Sequence, residues 1–256
     1  MRKAIVSGAN GFVGSAVVKE LISQGYEVYA LVRENHYDQV PINEMVRIVP
    51  FSLENIEALG EVIPINEYEA FYHFAWNGSA GVDRADTALQ LKNAQWTVEC
   101  LQMAKRLGCK RFVPAGSIME HETIAAVYTQ GNRPGAGYIY GSGKVAAHMM
   151  CMSMAVKEGI NLVWPKITNA YGPSERSPRL VNSTIRKCIA GEDPQFTAGT
   201  QNYDFVYIDD VARAFRLIGE KGKPFHHYLI GSGKAKALKE FLLEMRAAIA
   251  HDLEFK

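Results

Sequence analysis

The stretch Ala4-Ile5-Val6-Ser7-Gly8-Ala9-Asn10-Gly11-Phe12-Val13-Gly14 decides the fold of this chain. Its first four residues predict a buried strand, and the helical spacing from Phe12 to Gln24 predicts a helix directly after the turn. The first glycine permits a sharp turn, the second lets the backbone approach a pyrophosphate, and the third lets the helix pack against the strand. The helix N-terminus offers unpaired N–H groups to phosphates. The stretch therefore predicts a dinucleotide-binding turn.

Short apolar runs and amphipathic stretches alternate outward from this turn, which is typical of a parallel sheet covered by helices on both faces. Strands are predicted at Glu27–Val32, Arg47–Val49, Ala70–Ala75, Arg111–Ala115 and Leu162–Lys166, and helices at Leu53–Leu59, Arg84–Leu107, from about Tyr140 to Lys157, Leu180–Ala190, Asp210–Ile218 and Ala235–Ala250. We therefore expect an α/β, Rossmann-like, doubly wound domain over residues 1–166. Residues 167–256 are expected to form mainly a small substrate-binding lobe, with some elements returning to the core.

The composition is that of an ordinary globular protein. The chain has 256 residues, of which 48% are hydrophobic and 21% charged, and its formal net charge is +1. Disordered, collagen-like and coiled-coil classes are excluded, and the charge gives no reason to expect nucleic acid or an anionic membrane as partner. The cysteines form no CxxC pair, and no run of about 18 apolar residues occurs. We expect a cytoplasmic protein with free thiols, no metal and no membrane span.

Further motifs follow the glycine-rich turn in a fixed order. They are Tyr72-His73-Phe74-Ala75, Asn93, Lys110-Arg111-Phe112-Val113-Pro114-Ala115-Gly116-Ser117, Tyr140-Gly141-Ser142-Gly143-Lys144, Asn169-Ala170-Tyr171-Gly172-Pro173 and Phe205-Val206-Tyr207-Ile208-Asp209-Asp210-Val211-Ala212. This set covers about residues 3–245 and resembles the extended branch of the short-chain dehydrogenase/reductase superfamily, which contains nucleotide-sugar epimerases, dehydratases and ketoreductases. The resemblance implies an NAD(P)-dependent enzyme with a nucleotide-sugar substrate.

Three residues carry the expected chemistry. Tyr140 and Lys144 are four positions apart and so share one face of a helix. A nearby cation lowers the pKa of a tyrosine, which lets Tyr140 exchange a proton with a sugar hydroxyl or ketone near neutral pH. Ser117, at the end of the fifth strand, would hydrogen-bond the same oxygen. The resemblance adds that Lys144 holds the nicotinamide ribose, and the catalytic set is Ser117, Tyr140 and Lys144.

The resemblance also assigns residues to ligands. The cofactor set comprises Gly8, Asn10, Gly11, Phe12, Val13, Gly14, Arg33, Ser52, Leu53, Phe74, Ala75, Trp76, Asn93, Tyr140, Lys144 and Ile167, and the substrate set Ser117, Asn169 and Arg179. Asn169 matches the family residue that meets the nucleotide diphosphate. Arg176, Arg179 and Arg186 could neutralise that diphosphate, although each alone is more often a surface charge.

The end of the second strand bears on the choice of cofactor. An NAD enzyme normally places an acidic residue there to accept hydrogen bonds from the ribose diol. Val32 takes that position, and Arg33 follows it. Because an arginine pairs with a 2′-phosphate, NADP is favoured. Glu34, one residue further, keeps NAD possible.

The residues after Ser117 bear on the reaction. Related 4,6-dehydratases carry an Asp-Glu pair there as acid and base. Here Ile118 and Met119 stand in those places, and Glu120 lies one position too far along. A dehydratase is therefore disfavoured. The leading interpretation is a nucleotide-sugar ketoreductase, the runner-up is an NAD-dependent 4-epimerase, and a non-catalytic dinucleotide sensor is the third.

Two features concern the later half of the chain. Tyr203 and Lys166 stand where the family usually has arginines, and relatives usually continue for about fifty more residues. Either the chain is shortened or its substrate lobe is small.

The resemblance implies a homodimer in which two long helices of each copy form a four-helix bundle. The apolar run that favours this contact is Ala146, Ala147, Met149, Met150, Met152 and Met154.

Overall fold

The computed structural model describes residues 1–249 and 252, and the strands in this part of the chain form one large sheet and three small ones. The strands are β1 Arg2–Ser7, β2 Tyr26–Val32, β3 Val46–Pro50, β4 Ala70–His73, β5 Arg111–Pro114, β6 Gly116–Ser117, β7 Asn161–Leu162, β8 Trp164–Ile167, β9 Asn169–Tyr171, β10 Asn202–Tyr203, β11 Phe205–Tyr207, β12 His227–Ile230 and β13 Lys236–Ala237. The large sheet is parallel with the order β3-β2-β1-β4-β5-β7. This order, which reverses between β1 and β4, is that of a doubly wound dinucleotide-binding fold.

Helices cover both faces of this sheet. They are α1 Phe12–Ser23, α2 Leu59–Val62, α3 Thr87–Arg106, α4 Met119–Tyr128, α5 Tyr138–Glu158, α6 Leu180–Ile189, α7 Ile208–Lys221 and α8 Leu238–Ile249, with short 3-10 turns at Leu53–Ala58 and Val82–Ala85. The pair α3 and α5 packs on one face, and the pair α1 and α7 on the other. The predicted Rossmann-like fold is therefore confirmed.

Each face has its own apolar core. Leu101 and Ala147 belong to the cluster beneath α3 and α5. Val17 and Phe215 belong to the cluster beneath α1 and α7. Because both faces are buried, the central strands are apolar along their whole length, and every residue of β2 is buried. The segment that contains α7 comes after residue 167, so a late part of the chain returns to complete the core.

The structure differs from the sequence prediction at several places. The long helix begins at Thr87 rather than Arg84, because the Asp86 side chain accepts a hydrogen bond from the Leu89 N–H (3.0 Å) and caps the helix there. The strand predicted at Leu162–Lys166 divides after Leu162, and its second part leaves the large sheet to pair with β6 and β12. Helix α4 and the short strands β6 and β9–β13 were not predicted, and Ser117 lies at the end of β6 rather than of the fifth strand.

The last predicted helix is present as α8, and its predicted final residue, Ala250, lies outside the described residues. Among the helices that are described, none has the length and apolar character needed to cross a bilayer. The small sheets have the strand orders β10-β13, β9-β11 and β6-β8-β12, and residues of β6, β9, β10 and β11 line a cavity.

Candidate active site

The glycine-rich turn has the close packing that its sequence predicts. Gly8 has a φ of +69°, and a Cβ at this position would lie 2.7 Å from the backbone nitrogen of Ala75. A Cβ on Gly14 would meet the carbonyl group of Gly8. Gly11 is the N-cap of α1, where no side chain caps the helix and no acidic residue lies in the first turn. The turn therefore leaves N–H groups and a positive helix end open to a phosphate, and a dinucleotide fits these residues.

A cavity of about 690 Å³ extends from this turn along the carboxyl ends of the central strands. It is lined by all of the predicted cofactor residues but one: Gly8, Asn10, Gly11, Phe12, Val13, Gly14, Arg33, Ser52, Leu53, Phe74, Ala75, Trp76, Tyr140, Lys144 and Ile167. The exception is Asn93. Its buried side chain instead donates to the backbone oxygen of Asn77 (2.8 Å) and accepts from the Asn77 N–H (2.9 Å). Asn93 thus fixes the backbone of a lining residue.

The three predicted catalytic residues converge at the inner end of this cavity. Tyr140 and Lys144 project from the first turns of α5 and are 8% and 6% exposed, and Ser117 lies at the end of β6. Ser117 and Tyr140 also line a second cavity, of about 640 Å³, so they stand between the two spaces. A ligand in either cavity therefore reaches the same hydroxyl groups.

Lys144 is buried in a polar and aromatic setting. Its Nζ donates to the backbone oxygen of Ala115 (2.9 Å) and lies 3.5 Å from the centroid of the Trp76 ring. Burial lowers the pKa of Lys144 to about 7, and the charge of Glu120 opposes that change. Trp76 is fixed in turn, because its indole N–H donates to Gln90 (2.8 Å).

Tyr140 lies beside cations that sequence reasoning did not connect with it. Burial raises the pKa of Tyr140, whereas the charges of Arg84 and Arg179 and the side chain of Ser117 lower it. The Arg84 guanidinium carbon is 4.2 Å from the centroid of the Tyr140 ring, and its Nη1 donates to the Ser79 backbone oxygen (2.9 Å). No motif marks Arg84, which occupies a 3-10 turn that the sequence predicted as the start of a helix.

The second cavity holds the predicted substrate residues. Asn169 and Arg179 line it together with Ser117. Aromatic rings from Tyr171, Tyr203, Phe205 and Tyr207 form one wall, and Tyr203 is the residue that stands where relatives often have arginine. Ile118 and Met119 line the same cavity and supply no proton-exchanging group. The second cavity therefore combines an aromatic wall with charged side chains, among them Arg84, Glu175 and Arg179.

The three candidate arginines have different positions. Arg179 lines both cavities, whereas Arg176 lines only the first, where it pairs with Asp38 (2.5 Å). That ion pair and a bond to Asn10 lower the pKa of the Asp38 carboxyl. Arg186 lines neither cavity. Arg33, on the exposed rim of the first cavity, remains the cation nearest the end of β2.

A buried histidine supports the turn from below. His73 ends β4, and its Nδ1 is 2.7 Å from the hydroxyl of Ser7, the residue before Gly8. Its Nε2 is 3.4 Å from the hydroxyl of Thr97. Burial and the nearby charge of Lys144 lower the pKa of His73 to about 3, so the ring is neutral. The motif that contains His73 therefore joins the glycine-rich turn to α3.

Comparison with known proteins agrees with this geometry. The chain is 27% identical over 255 residues to a CDP-abequose synthase of Salmonella muenchen, covering 93% of this chain and 78% of that protein. It is 27% identical over 263 residues to a dTDP-6-deoxy-L-talose 4-dehydrogenase (NAD(+)) of Aggregatibacter actinomycetemcomitans, covering 98% and 92%. A structure of UDP-N-acetylglucosamine 4-epimerase from Methanobrevibacter ruminantium M1 in complex with UDP-N-acetylmuramic acid shares the fold, with a TM-score of 0.83 at 19% identity, over 100% of this chain and 84% of that one.

The family assignment rests on a match along most of the chain. The sequence model of the NAD dependent epimerase/dehydratase family matches residues 4–231, a span that contains the glycine-rich turn, Ser117, Tyr140 and Lys144. The chain belongs to the NAD dependent epimerase/dehydratase family.

Proposed function

We propose that this protein is an NADPH-dependent ketoreductase of nucleotide sugars. The observation that carries the proposal is the position of Ser117 and Tyr140 between two cavities, one of which begins at a phosphate-binding turn. Ile118 and Met119 favour a reductase over a dehydratase, because neither side chain can act as acid or base in removing water. Two relatives named as a CDP-abequose synthase and a dTDP-sugar 4-dehydrogenase support a nucleotide-sugar substrate.

The residues divide the chemistry among themselves. When bound, the nicotinamide supplies the hydride. Tyr140 donates the proton to the oxygen of the keto sugar, and Ser117 hydrogen-bonds that oxygen and polarises the carbonyl group. Arg84 and Arg179 provide positive charge that offsets the cost of forming a buried phenolate, and Lys144 Nζ lies 5.9 Å from the centroid of the Tyr140 ring. Lys144 also holds the ribose of the cofactor.

NADP is the proposed cofactor because of the charge at the adenosine end of the first cavity. Arg33 lines the cavity, and Glu34, the residue that would favour NAD, is absent from its lining. Asp38 also lines this end, but its carboxylate is already paired with Arg176. A 2′-phosphate would therefore meet Arg33 and a neutralised acid.

A 4-epimerase using tightly held NAD is the second candidate. The 4-dehydrogenase relative carries NAD(+) in its name, and Tyr140 is equally able to remove and return a proton at a sugar oxygen. The two candidates differ in what the cofactor does, because an epimerase returns the hydride to the same substrate whereas a reductase must exchange its cofactor at every turnover.

The test combines cofactor binding with turnover. Nucleotide released from the purified protein by denaturation is identified, and NADPH and NADH are titrated by fluorescence against the protein and its Arg33→Ala variant. We expect Arg33→Ala to weaken NADPH by roughly 10–100-fold and to leave NADH unchanged. Arg213→Ala, which removes an exposed cation on α7, is the matched control. Tightly retained NAD, or NADH bound more strongly than NADPH, would favour the epimerase.

Turnover is measured with CDP-, dTDP- and UDP-linked sugars, supplied as 4-keto sugars with NADPH to test the reductase and as 4-hydroxy sugars with NAD to test the epimerase. Consumption of NADPH with formation of the corresponding nucleotide-linked 4-hydroxy sugar is the expected result. Interconversion of two sugars without net consumption identifies the epimerase. Binding of cofactor without any conversion, across all three nucleotides, would contradict both candidates and leave the protein as a sensor.

We further propose that the protein is a homodimer formed through α3 and α5. Ala147 is buried in the monomer core, but Met149 and Met150 on α5 and Leu91 on α3 are exposed. These side chains support a helical interface between two copies. Light scattering at micromolar concentration tests the dimer, and a strictly monomeric species would contradict it.

We also propose residues 1–166 as the cofactor-binding part and residues 167–256 as mainly the substrate part.

We propose a cytoplasmic location because of the state of the cysteine thiols. Cys100, Cys109 and Cys151 are buried and free, and Cys188 is free and half-buried. Burial raises the pKa of the Cys151 thiol to about 12 and raises that of the Cys100 thiol as well. Free thiols of this kind suit a reducing compartment such as the cytoplasm.

A further inference from the structure

A buried carboxylate lies directly behind the catalytic serine. Glu120, in the first turn of α4, is 1% exposed, and its Oε1 accepts a hydrogen bond from the backbone N–H of Ser117 (2.8 Å). The Ser117 hydroxyl accepts in turn from the N–H of Met119 (3.2 Å). The approach is close, because a Cβ on Gly116 would lie 2.7 Å from the same Oε1. The position of Ser117 is therefore tied to that of one side chain.

The other contacts of Glu120 come from separate elements. The indole N–H of Trp164 donates to Oε1 (3.1 Å), and His148 Nδ1 is 2.9 Å from Oε2. Lys166 Nζ lies 3.5 Å from Oε2 and is itself buried. The His148 ring stacks on Trp164 with centroids 4.3 Å apart. Helix α5 and strand β8 thus hold the carboxylate from behind.

This arrangement exceeds what a helix cap requires. A Ser-x-x-Glu box at a helix start satisfies two backbone N–H groups with two side chains. A glutamate with only that role needs no burial, whereas burying a carboxylate is costly unless it is paired and hydrogen-bonded. Burial raises the pKa of Glu120. The opposing effect of His148, the Ser117 N–H, Trp164 and Lys166 is larger, so the pKa lies below its usual value and the carboxylate stays ionised. The protein therefore keeps the ionised Glu120 carboxylate buried and paired directly beside Ser117.

Glu120 is not placed to exchange protons with a substrate. It lines neither cavity, although its neighbours Met119 and Glu122 line the second. The role left to it is to hold Ser117. We propose that Glu120, fixed by His148 and Lys166, is a positioning residue that holds the backbone and hydroxyl of Ser117 in their catalytic geometry. The catalytic part of this statement rests on the proposed function.

The first test measures the contact without any substrate. Amide exchange at Ser117 is followed by NMR in the wild type, Glu120→Gln and Glu120→Leu. Glutamine keeps an oxygen for the Ser117 N–H and should preserve slow exchange, whereas leucine should accelerate it roughly 10–100-fold. The Ile118 amide, which donates to the Ile167 oxygen at 2.9 Å, is the internal control and should remain slow. Unchanged exchange at Ser117 in Glu120→Leu would overturn the proposal.

The second test measures the consequence for turnover. A misplacement of about 1 Å can reduce a rate about 10²-fold, so kcat should fall roughly 10–100-fold in Glu120→Leu and remain near the wild-type value in Glu120→Gln. The Kd of NADPH should not change. In a Ser117→Ala background, Glu120→Leu should reduce kcat by less than about threefold, because the group that it positions is already gone.

Controls separate positioning from folding. Glu27→Gln alters a buried carboxylate on β2 that pairs with Arg47 (2.6 Å) and should lower thermal stability without changing kcat. The double variant Glu120→Leu/Lys166→Met removes the unpaired cation if Glu120→Leu alone does not fold. Equal kcat losses with and without the Ser117 hydroxyl would overturn the proposal. If the wild type converts no nucleotide sugar, the proposed function fails, and the exchange at Ser117 still decides whether Glu120 holds that residue.

Discussion

Replacing Arg84 by methionine should raise the pKa of Tyr140 during catalysis. Methionine keeps much of the length of the side chain and removes its charge. The guanidinium carbon lies 4.2 Å from the centroid of the Tyr140 ring, and Arg84 is the first of the groups that lower the pKa of this tyrosine. Without it, the phenolate loses a favourable charge interaction and the protonated form is relatively stabilised.

The size of the shift follows from this separation. Two unit charges about 4 Å apart interact by about 1 kcal/mol at the dielectric constant of water and about 4 kcal/mol at an effective value near 20. At 1.36 kcal/mol per pKa unit, the range is about 0.7–3 units. Arg84 is half-buried, so solvent screens part of its charge. We therefore expect a rise of about 1 unit.

The assay is the pH dependence of kcat for oxidation of the 4-hydroxyl group of a nucleotide sugar. In this direction Tyr140 acts as the base, so the rate rises with pH until the phenol has ionised. Arg84→Met should move this limb to higher pH by about 1 unit. Arg84→Lys retains a cation and should lie close to the wild type, and Arg213→Met controls for loss of a distant surface charge. A limb that stays in place in Arg84→Met, or moves to lower pH, refutes the reasoning.

Three further predictions concern single residues. Tyr140→Phe should reduce kcat by about 10²–10⁴-fold and leave the Kd of NADPH unchanged. Tyr138 lines neither cavity, so Tyr138→Phe should retain activity. A Tyr140→Phe variant with more than half of the wild-type rate would show that another group moves the proton. Gly14→Ala should destabilise the protein by about 1–3 kcal/mol and weaken cofactor binding, because the added methyl group meets the Gly8 backbone. Gly135 has open space where a Cβ would lie, so Gly135→Ala should change neither stability nor cofactor affinity. Thermal shift and cofactor titration measure the two effects. Burial lowers the pKa of His73 from 6.5 to about 3, so between these pH values the unfolded chain binds a proton at His73 and the folded protein does not. The free energy of unfolding should therefore be unaffected by His73 above about pH 6.5 and should fall by up to about 1.4 kcal/mol per pH unit toward pH 3. Urea unfolding at several pH values should show a shallower acid slope in His73→Asn, and equal slopes would mean that His73 does not titrate in this way.

The lining of the first cavity could be predicted because its residues are adjacent in sequence or follow from strand order. The turn at Gly8–Gly14 determines its own geometry, and parallel strands bring Ser117 and the start of α5 to the same edge of the sheet. Arg84 could not be found in this way. It reaches Tyr140 only because Asp86 delays the start of α3 and leaves a short turn whose direction no periodicity encodes.

Glu120 illustrates a second limit of sequence reasoning. Its position, three residues after Ser117, is one residue too far along for the dehydratase pattern, and the sequence assigns it no role. In the structure the side chain lines neither cavity, because α4 begins at Met119 and turns Glu120 toward Trp164 and Lys166. Those partners lie more than forty positions further along the chain, and only the tertiary structure brings them to the carboxylate.

Helix α7 has a consequence for how this enzyme can be divided or recombined. Val211, Phe215 and Ile218 lie in the same apolar cluster as β1, β2 and α1, and the Phe215 ring contacts Phe74, which lines the first cavity, with centroids 4.8 Å apart. A fragment ending at residue 166 would expose that face of the sheet to water. Residues 1–166, the proposed cofactor-binding part, are therefore not a transplantable module, and a chimera that exchanges the later part of the chain must keep α7 of the original chain.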